Sequence, residues 1–418
     1  MYPSSIDGIF IDKLVEQHGS PLFVVSAKAL RNNIRTFRSE FSKNYPKVEV
    51  AYSYKTNYLL GVRDIVHKEG AWAEVASGFE YDLARALGMA GASIVFNGPY
   101  KKKEELRKAA DDGALINADH MDEIRLLEEI ASEWGRKLDI GIRINTDVGL
   151  NQLPDRFGFN LESGEAIQIV RRCAEKKLLR ITAIHIHLTS YIIEPEPAPS
   201  TTPAGRIKLI WPKSPDMYRM AANKLVRFAE GIREEFGLNM KYVDAGGGFP
   251  SVDSLAPYVE AIVEPIVNEF RVDLPILILE PGRAIVNDAI QLITTVVGVK
   301  AFHNGERGII VDAGVNILPT SFWRLQEIES VSRLETGGSR ETTVYGPLCL
   351  QTDIIGKARL SELGAGNKLI VKNVGAYNIS QSSTFIFPRP AIVLIENDRV
   401  KVLRRAETVE DVFLFENF

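Results

Sequence analysis

The stretch from Val48 to Asn57, VEVAYSYKTN, alternates apolar and polar residues and is rich in β-branched and aromatic side chains, as a strand would be. It runs into Lys55, whose charge is costly at the end of a buried strand unless it has a partner or a task. One such task is a Schiff base with an aldehyde cofactor, because desolvation lowers a lysine pKa and favours the nucleophilic amine. The plainer reading is a lysine that snorkels out to solvent. What the rest of the chain brings to this strand end decides between them.

Working outward, short segments of strand character recur at 73–75, 93–96, 114–117, 139–144, 181–187, 242–245 and 276–280. Stretches of helical period lie between them, clearest at 119–134, 164–177 and 216–236. Repeated strand–helix units imply a parallel sheet, and eight of them predict an α/β fold with a closed (β/α)8 TIM-like barrel. An open, doubly wound sheet is the competing arrangement. In such a barrel active-site residues sit where strands end. Lys55, Ser77, Asn97, Asn145, His187, Gly246 and Glu280 all fall at such ends. From about residue 285 the texture changes, with strand-like runs at 290–300, 308–311, 368–372, 391–396 and 400–403. The expected division is a cofactor-binding barrel over 27–286 and a mostly antiparallel β domain built from 1–26 plus 287–418, with a strand at 22–25 joining the later sheet. The proline-rich segment 191–217 follows the sixth strand. It reads as a loop on the catalytic face, either a lid or substrate arm or a plain surface insertion.

Composition narrows the function classes. Across 418 residues, 50 basic and 54 acidic side chains give a formal net charge of −4, so there is no electrostatic case for nucleic acid or an anionic membrane. The only cysteines, Cys173 and Cys349, form neither a disulfide framework nor zinc-ligand spacing, which fits a reducing compartment and predicts no metal. The start, MYPSSIDGIFIDKL, lacks a basic region followed by a long apolar run, and no apolar segment is long enough to cross a bilayer. A cytoplasmic protein is expected.

Several motifs carry chemistry. Gly246-Gly247-Gly248 follows a strand, where consecutive glycines let backbone N–H groups approach a phosphate; a tight turn explains them equally well. Glu280-Pro281-Gly282-Arg283 ends the apolar run ILILE. A carboxylate there needs a partner, and either a protonated pyridine nitrogen or an internal arginine supplies one. His187, in HIHLTS, is placed to stack on a flat cofactor or simply to pack, and Ser190 offers a hydroxyl to phosphate. On residue type alone Cys349 reads as a small buried hydrophobe and Tyr377 as a core or interface aromatic.

Taken in order, YKTN, VASGFEY, FNGPYKK, RIN with RFG, HIHLTS, DAGGGFP, EPGR, GPLC, GAY and RPA resemble the fold-type III pyridoxal-phosphate decarboxylases, which include diaminopimelate and ornithine/arginine decarboxylases. The resemblance spans nearly the whole chain. It implies a barrel with a β domain, pyridoxal 5'-phosphate as cofactor, and a homodimer with shared active sites. It makes Lys55 the Schiff-base lysine, His187 the ring-stacking histidine and Glu280 the pyridinium partner. Ser190, Gly246, Gly247, Gly248, Gly282, Arg283 and Tyr377 become phosphate binders. Cys349 becomes the acid that crosses the dimer interface to protonate the product carbon. Arg283, Asp353 and Tyr377 become substrate contacts.

The departures concern the substrate. Diaminopimelate enzymes of this family usually carry glutamate directly after the cysteine, where this chain has Leu350. They also have an arginine-proline stretch that reads the distal carboxylate, whereas NILPTSFWR shows no clear matching arginine, and Thr189 replaces the glycine of HxGS. Loss of such polar readers argues against diaminopimelate. The resemblance then points to secondary-metabolism decarboxylases acting on siderophore intermediates or conjugated amino acids, free or carrier-linked. Two other classes stay open. A racemase on the same barrel would need two opposed acid–base groups, and an arginine rather than a glutamate opposite the ring nitrogen. A catalytically dead homologue would not need Lys55, Glu280 and Cys349 together.

Overall fold

The alternating run forms strand β1 (Val48–Ser53), and seven further parallel strands follow it: β2 (Trp72–Val75), β3 (Ile94–Phe96), β4 (Leu115–Ala118), β5 (Leu138–Asn145), β6 (Leu179–Ile186), β7 (Tyr242–Asp244) and β8 (Ile276–Leu279). The computed structural model describes residues 4–149, 156–188, 192–194, 208–210, 214–271, 273–303, 305–331 and 338–416. The spatial order is β6-β7-β8-β1-β2-β3-β4-β5, and β5 pairs back onto β6 with Ile140 opposite Ile181. The sheet closes into the expected barrel.

The barrel interior is layered, because side chains on one face of a strand recur every second residue. Ala51, Val95, Leu115, Ala183 and Ile278 form one apolar plug. Two residues further along the same strands come Ser53, Asn97, Asn117, His185 and Glu280, all buried. A polar layer therefore sits one step above the apolar one, at the carboxyl ends of the strands. The opposite faces, with Val50, Tyr52, Phe96 and Ile184, pack under helices such as Ala27–Ser42, Met121–Trp134 and Pro215–Phe236 in the large core.

The chain leaves and re-enters the second sheet around the barrel. Leu22–Ser26, buried along its whole length, lies antiparallel to Ile290–Ala301 (Phe23 opposite Leu292) and parallel to Ile392–Glu396 (Val25 opposite Leu394). Arg307–Val311 and Arg340–Tyr345 form a second parallel pair, and the remaining pairings of this sheet are antiparallel. Three of its strands escape sequence reading: Glu327–Ser330, Arg340–Tyr345 and Ile354–Leu360. Their polar, half-exposed residues blur the apolar alternation that marks a strand. Of the segment 191–217, Ile192–Glu194 pairs antiparallel with Lys208–Ile210. Most of the rest, with Thr189 and Ser190, lies outside the described residues. Among the described residues no helix is long and apolar enough to cross a membrane.

Side chains tie the two sheets together at the barrel mouth. Asn33 Nδ2 donates to Ile285 O at 3.0 Å and Asp288 Oδ1 at 2.7 Å, and Asn57 Nδ2 donates to Gly375 O at 3.0 Å. Leu292 is fully buried between Phe23 and Val371. Leu292→Ala is expected to cost about 2–5 kcal/mol of stability, read as a lower urea midpoint with an unchanged far-ultraviolet spectrum of the residual folded state.

Candidate active site

Lys55 does not lie in β1 itself. It occupies the one-turn 3-10 helix Tyr54–Thr56 that caps the strand, so its side chain swings back over the barrel mouth and stays 40% exposed. Its Nζ lies 2.6 Å from Glu74 Oε2, at the end of β2. Glu74 Oε1 accepts from Asn97 Nδ2 at 3.1 Å, and the same amide donates to Glu280 Oε1 at 2.5 Å. Asn117 Nδ2 donates to Asn97 Oδ1 at 2.9 Å and fixes that amide's orientation. Lysine and Glu280 are thus joined through one continuous net across four strand ends.

The other side of Glu280 meets imidazoles. His185 Nε2 is 3.4 Å from Glu280 Oε2, and His187 Nδ1 is 3.9 Å from it. His187 Nδ1 also accepts from Gly247 N at 3.1 Å. Burial pushes the Glu280 carboxyl up, but His185, then Lys55 and the Asn97 hydrogen bond, overcome it and hold the pKa at about 2. Burial, reinforced by Glu280, drives neighbouring Asp244 well above the ordinary carboxylate range. The buried acids therefore share a single charge, which resides on Glu280. For Lys55, burial lowers the pKa, while Glu74, Glu280 and Tyr377 outweigh it and lift the ammonium above the usual lysine range.

The glycine turn after β7 is built for close approach. Gly246 has φ +65° and donates to Asp244 Oδ1 at 2.9 Å; a Cβ there would stand 2.4 Å from Ile186 O. Tyr218 Oη donates to Gly247 O at 2.9 Å and braces the turn from the helix before it. Gly248 follows, and its N–H has no protein acceptor among the described residues. After β8, a Cβ on Gly282 would come within 2.0 Å of Thr56 Oγ1, so EPGR packs directly on the lysine turn. Arg283 lies over the Tyr377 ring, 5.4 Å from its centroid. Tyr377 holds φ +66°, a strained value for a tyrosine, and its N–H donates to Thr56 O at 2.8 Å. Ser380 Oγ reaches Lys55 O at 3.0 Å and Thr56 O at 3.2 Å.

The structure brings together Lys55, His187, Gly246, Gly247, Gly248, Glu280, Gly282, Arg283 and Tyr377. It adds Glu74, Asn117, His185 and Asp244, which sequence reasoning did not assign, and gives Asn97, expected only as a strand-end residue, its partners Glu74 and Glu280. Their common signal is the two-residue step above the apolar plug. Cys349 stands apart and exposed, contrary to its reading by residue type as a buried hydrophobe. Asp353 is 2% exposed, and its oxygens accept from Val315 N at 2.8 Å and Leu348 N at 2.7 Å, which pins the loop that carries Cys349.

This donor set fits pyridoxal phosphate. An amine and an ionised carboxylate share the mouth, an imidazole stands beside them, and two glycine turns leave room for an anion. His185, His187 and Glu280 place ligand atoms within 4.8 Å of one another, as a metal site would. A metal, however, gives no reason for Lys55 or the glycine turns.

Comparison with known proteins agrees. Residues 31–201 and 213–287, more than half of the chain, match the family model described as "Pyridoxal-dependent decarboxylase, pyridoxal binding domain". The chain is similar to diaminopimelate decarboxylase of Methanothermobacter thermautotrophicus (29% identity, covering 99% of this chain and 95% of the relative). It is also similar to that of Bacillus subtilis (27% identity, 97% and 93%). Among solved structures, the Methanocaldococcus jannaschii diaminopimelate decarboxylase superposes with a TM-score of 0.86 at 26% identity, covering 99% of this chain and 96% of that one.

Because Glu74 is the nearest counter-ion of Lys55 and raises its pKa, Glu74→Gln is expected to lower that pKa. With each unit of decrease the neutral amine fraction rises about tenfold. Faster labelling of Lys55 by trinitrobenzenesulfonate in cofactor-free protein, followed by peptide mass spectrometry, is the expected result.

Proposed function

Because the chain belongs to the pyridoxal-dependent decarboxylases, we propose that it releases CO2 from an amino acid, or an amino-acid-containing biosynthetic intermediate, other than diaminopimelate. Membership makes it a pyridoxal-phosphate enzyme of amino-acid metabolism, a carboxy-lyase on the barrel-plus-β-domain fold. The observation that carries the assignment of roles is the net from Lys55 through Glu74 and Asn97 to an ionised Glu280.

Bound pyridoxal phosphate supplies an electron sink for the pair left behind when CO2 departs. Lys55 provides the amine that anchors the aldehyde, and Glu74, 2.6 Å away, holds or takes the proton at Nζ. Glu280, its pKa held at about 2, would offer an ionised carboxylate to the ring nitrogen of bound pyridoxal phosphate and so favour the protonated ring. His187, set by the Gly247 N–H, backs the ring. Gly246, Gly247, Gly248, Gly282, Arg283 and Tyr377, with Ser190, receive the phosphate. A carboxylate opposite the nitrogen favours decarboxylation over racemisation, because it strengthens electron withdrawal rather than moderating it.

Cys349 completes the site from a second protomer. Its thiol is exposed, and its loop is held rigid by Asp353 rather than by the barrel of its own chain. Leu350 beside it, together with Phe322, Phe385, Ile386 and Phe387, exposes apolar surface that a homodimer would cover. In that dimer Cys349 delivers the proton to the product carbon.

Leu350 supports the substrate reading, since an apolar side chain cannot recognise a distal ammonium. Full-length similarity to diaminopimelate decarboxylases favours the second reading, meso-diaminopimelate itself. Measuring CO2 release from meso-diaminopimelate, other free diamino acids and conjugated amino acids, offered free or carrier-linked, separates the two. Lys55→Ala is expected to abolish both the visible absorbance of bound pyridoxal phosphate and CO2 release. Glu280→Gln is expected to retain the cofactor and lose about 100-fold or more in kcat. Mixing inactive Lys55→Ala and Cys349→Ala subunits is expected to restore roughly a quarter of native activity, because only sites pairing an intact lysine with an intact cysteine work.

A further inference from the structure

Lys101 is the only lysine buried among the described residues, and it stands outside the net that joins Lys55 to Glu280. It lies in the loop after β3, where its Nζ donates to Glu123 Oε1 at 2.8 Å, Gly98 O at 2.8 Å and Asn117 O at 3.2 Å. Each of the three ammonium protons thus has an acceptor. Glu123 belongs to the first turn of the helix Met121–Trp134 that follows β4, and its other oxygen accepts from Asp119 N at 2.7 Å. The two side chains are 0% and 1% exposed. Burial, helped by Arg143, pushes the Lys101 pKa down, and Glu123 and Asp119 bring it only part of the way back.

An ion pair this deep adds little net stability, because taking two charges out of water offsets most of their attraction. What it supplies is direction. Gly98 follows Asn97, and Asn117 carries the amide that donates to Asn97 Oδ1 at 2.9 Å, so one ammonium holds the backbone behind both asparagines. Asn97 Nδ2 in turn donates to Glu74 Oε1 at 3.1 Å and Glu280 Oε1 at 2.5 Å. A turned Asn97 amide would aim its oxygen at those two acids. Asn117 Oδ1 is buried without a hydrogen-bond partner, and a Cβ on Gly141 would stand 1.9 Å from it, so β5 makes room for this amide without holding it. The Asn117 side chain is hydrogen-bonded on one side only, and its orientation depends on where its backbone is held.

We infer that the buried Lys101–Glu123 pair is a positioning device: the ammonium clamps the ends of β3 and β4 so that Asn117 aims Asn97, and Asn97 aims Glu280 at the ring nitrogen of pyridoxal phosphate. Lys101 and Glu123 act through the two amides and are positioning residues, not catalytic ones. The inference rests on the role proposed for Glu280 and adds the support that stands behind it.

The test replaces the pair together, since removing one partner would strand the other's charge. Lys101→Met with Glu123→Gln is neutral, similar in volume, and leaves an acceptor for Asp119 N. In crystals of the cofactor-free protein this variant is expected to lose the Asn97–Glu280 contact, the two atoms moving beyond about 3.5 Å. In solution, affinity for pyridoxal phosphate is compared with affinity for its deaza analogue, in which carbon replaces the ring nitrogen. Native protein is expected to prefer pyridoxal phosphate by at least about tenfold. The variant is expected to lose most of that preference, as Glu280→Gln does, while its affinity for the deaza analogue stays within about threefold of native. On an Asn97→Ala background the same two substitutions are expected to change the preference no further, because the residue they act through is gone. Lys101→Gln with Glu123→Gln keeps one donor in the cavity; it serves if the methionine variant does not fold, and a smaller loss is expected. An unchanged Asn97–Glu280 contact, a preference that survives the substitutions, an equal loss of affinity for both cofactors, or a further loss on the Asn97→Ala background overturns the inference. Equal binding of the two cofactors by native protein overturns instead the role proposed for Glu280, and the cofactor-free structures alone then decide whether the pair aims Asn97.

Discussion

The division of charge between Glu280 and Asp244, two acids buried side by side at the barrel mouth, sets the terms for everything around it. Glu280 and Asp244 are both out of water, and two charges there would repel strongly. One resolves the conflict by keeping its proton, and the other is held ionised by His185, Lys55 and Asn97. Because Lys55 is itself paired with Glu74, and Asn97 bridges both acids, no member of the net can be changed without altering the rest. The site is thus electrostatically organised before any ligand enters. Little reorganisation remains for the moment of reaction.

That charge is affordable only because of where the strands place it. Directly beneath it lies the apolar plug of Ala51, Val95, Leu115, Ala183 and Ile278. Small side chains at 51 and 183 let the barrel close at eight strands, and the period of two lifts the next residue of each strand to the mouth. Gly282 against Thr56 and Gly246 against Ile186 let the loops above fold down onto this layer. The same geometry joins the β domain to the chemistry: Ser380 and Tyr377 bind the carbonyl and turn that carry Lys55. A displacement of the second sheet would therefore move the Lys55 amine.

The sequence made the barrel legible because its strands are continuous apolar runs ending in polar residues, and Lys55 and Glu280 interrupt those runs conspicuously. Glu74, Asn117 and His185 obey the same rule, but common polar residues at strand ends look like ordinary loop starts. Only strand registers, such as Ser53 opposite Glu74 and His185 opposite Asp244, reveal them as one layer. Asp353 is the opposite case: nothing in one dimension shows that its two oxygens accept from backbone N–H groups of the loops at 315 and 348. The strands at 327–330, 340–345 and 354–360 were hidden by their exposed, polar faces.

Chemistry and substrate choice are consequently written in different parts of the chain. The charge net draws on strand ends whose positions the closed barrel fixes. The turns of the β domain, among them Pro319–Phe322 and the loop of Cys349 and Leu350, lie outside the closed barrel and can vary without disturbing it. A decarboxylase of this build can keep its electron sink while its substrate drifts. The relatives' names therefore bear strongly on how this protein works and only weakly on what it works on.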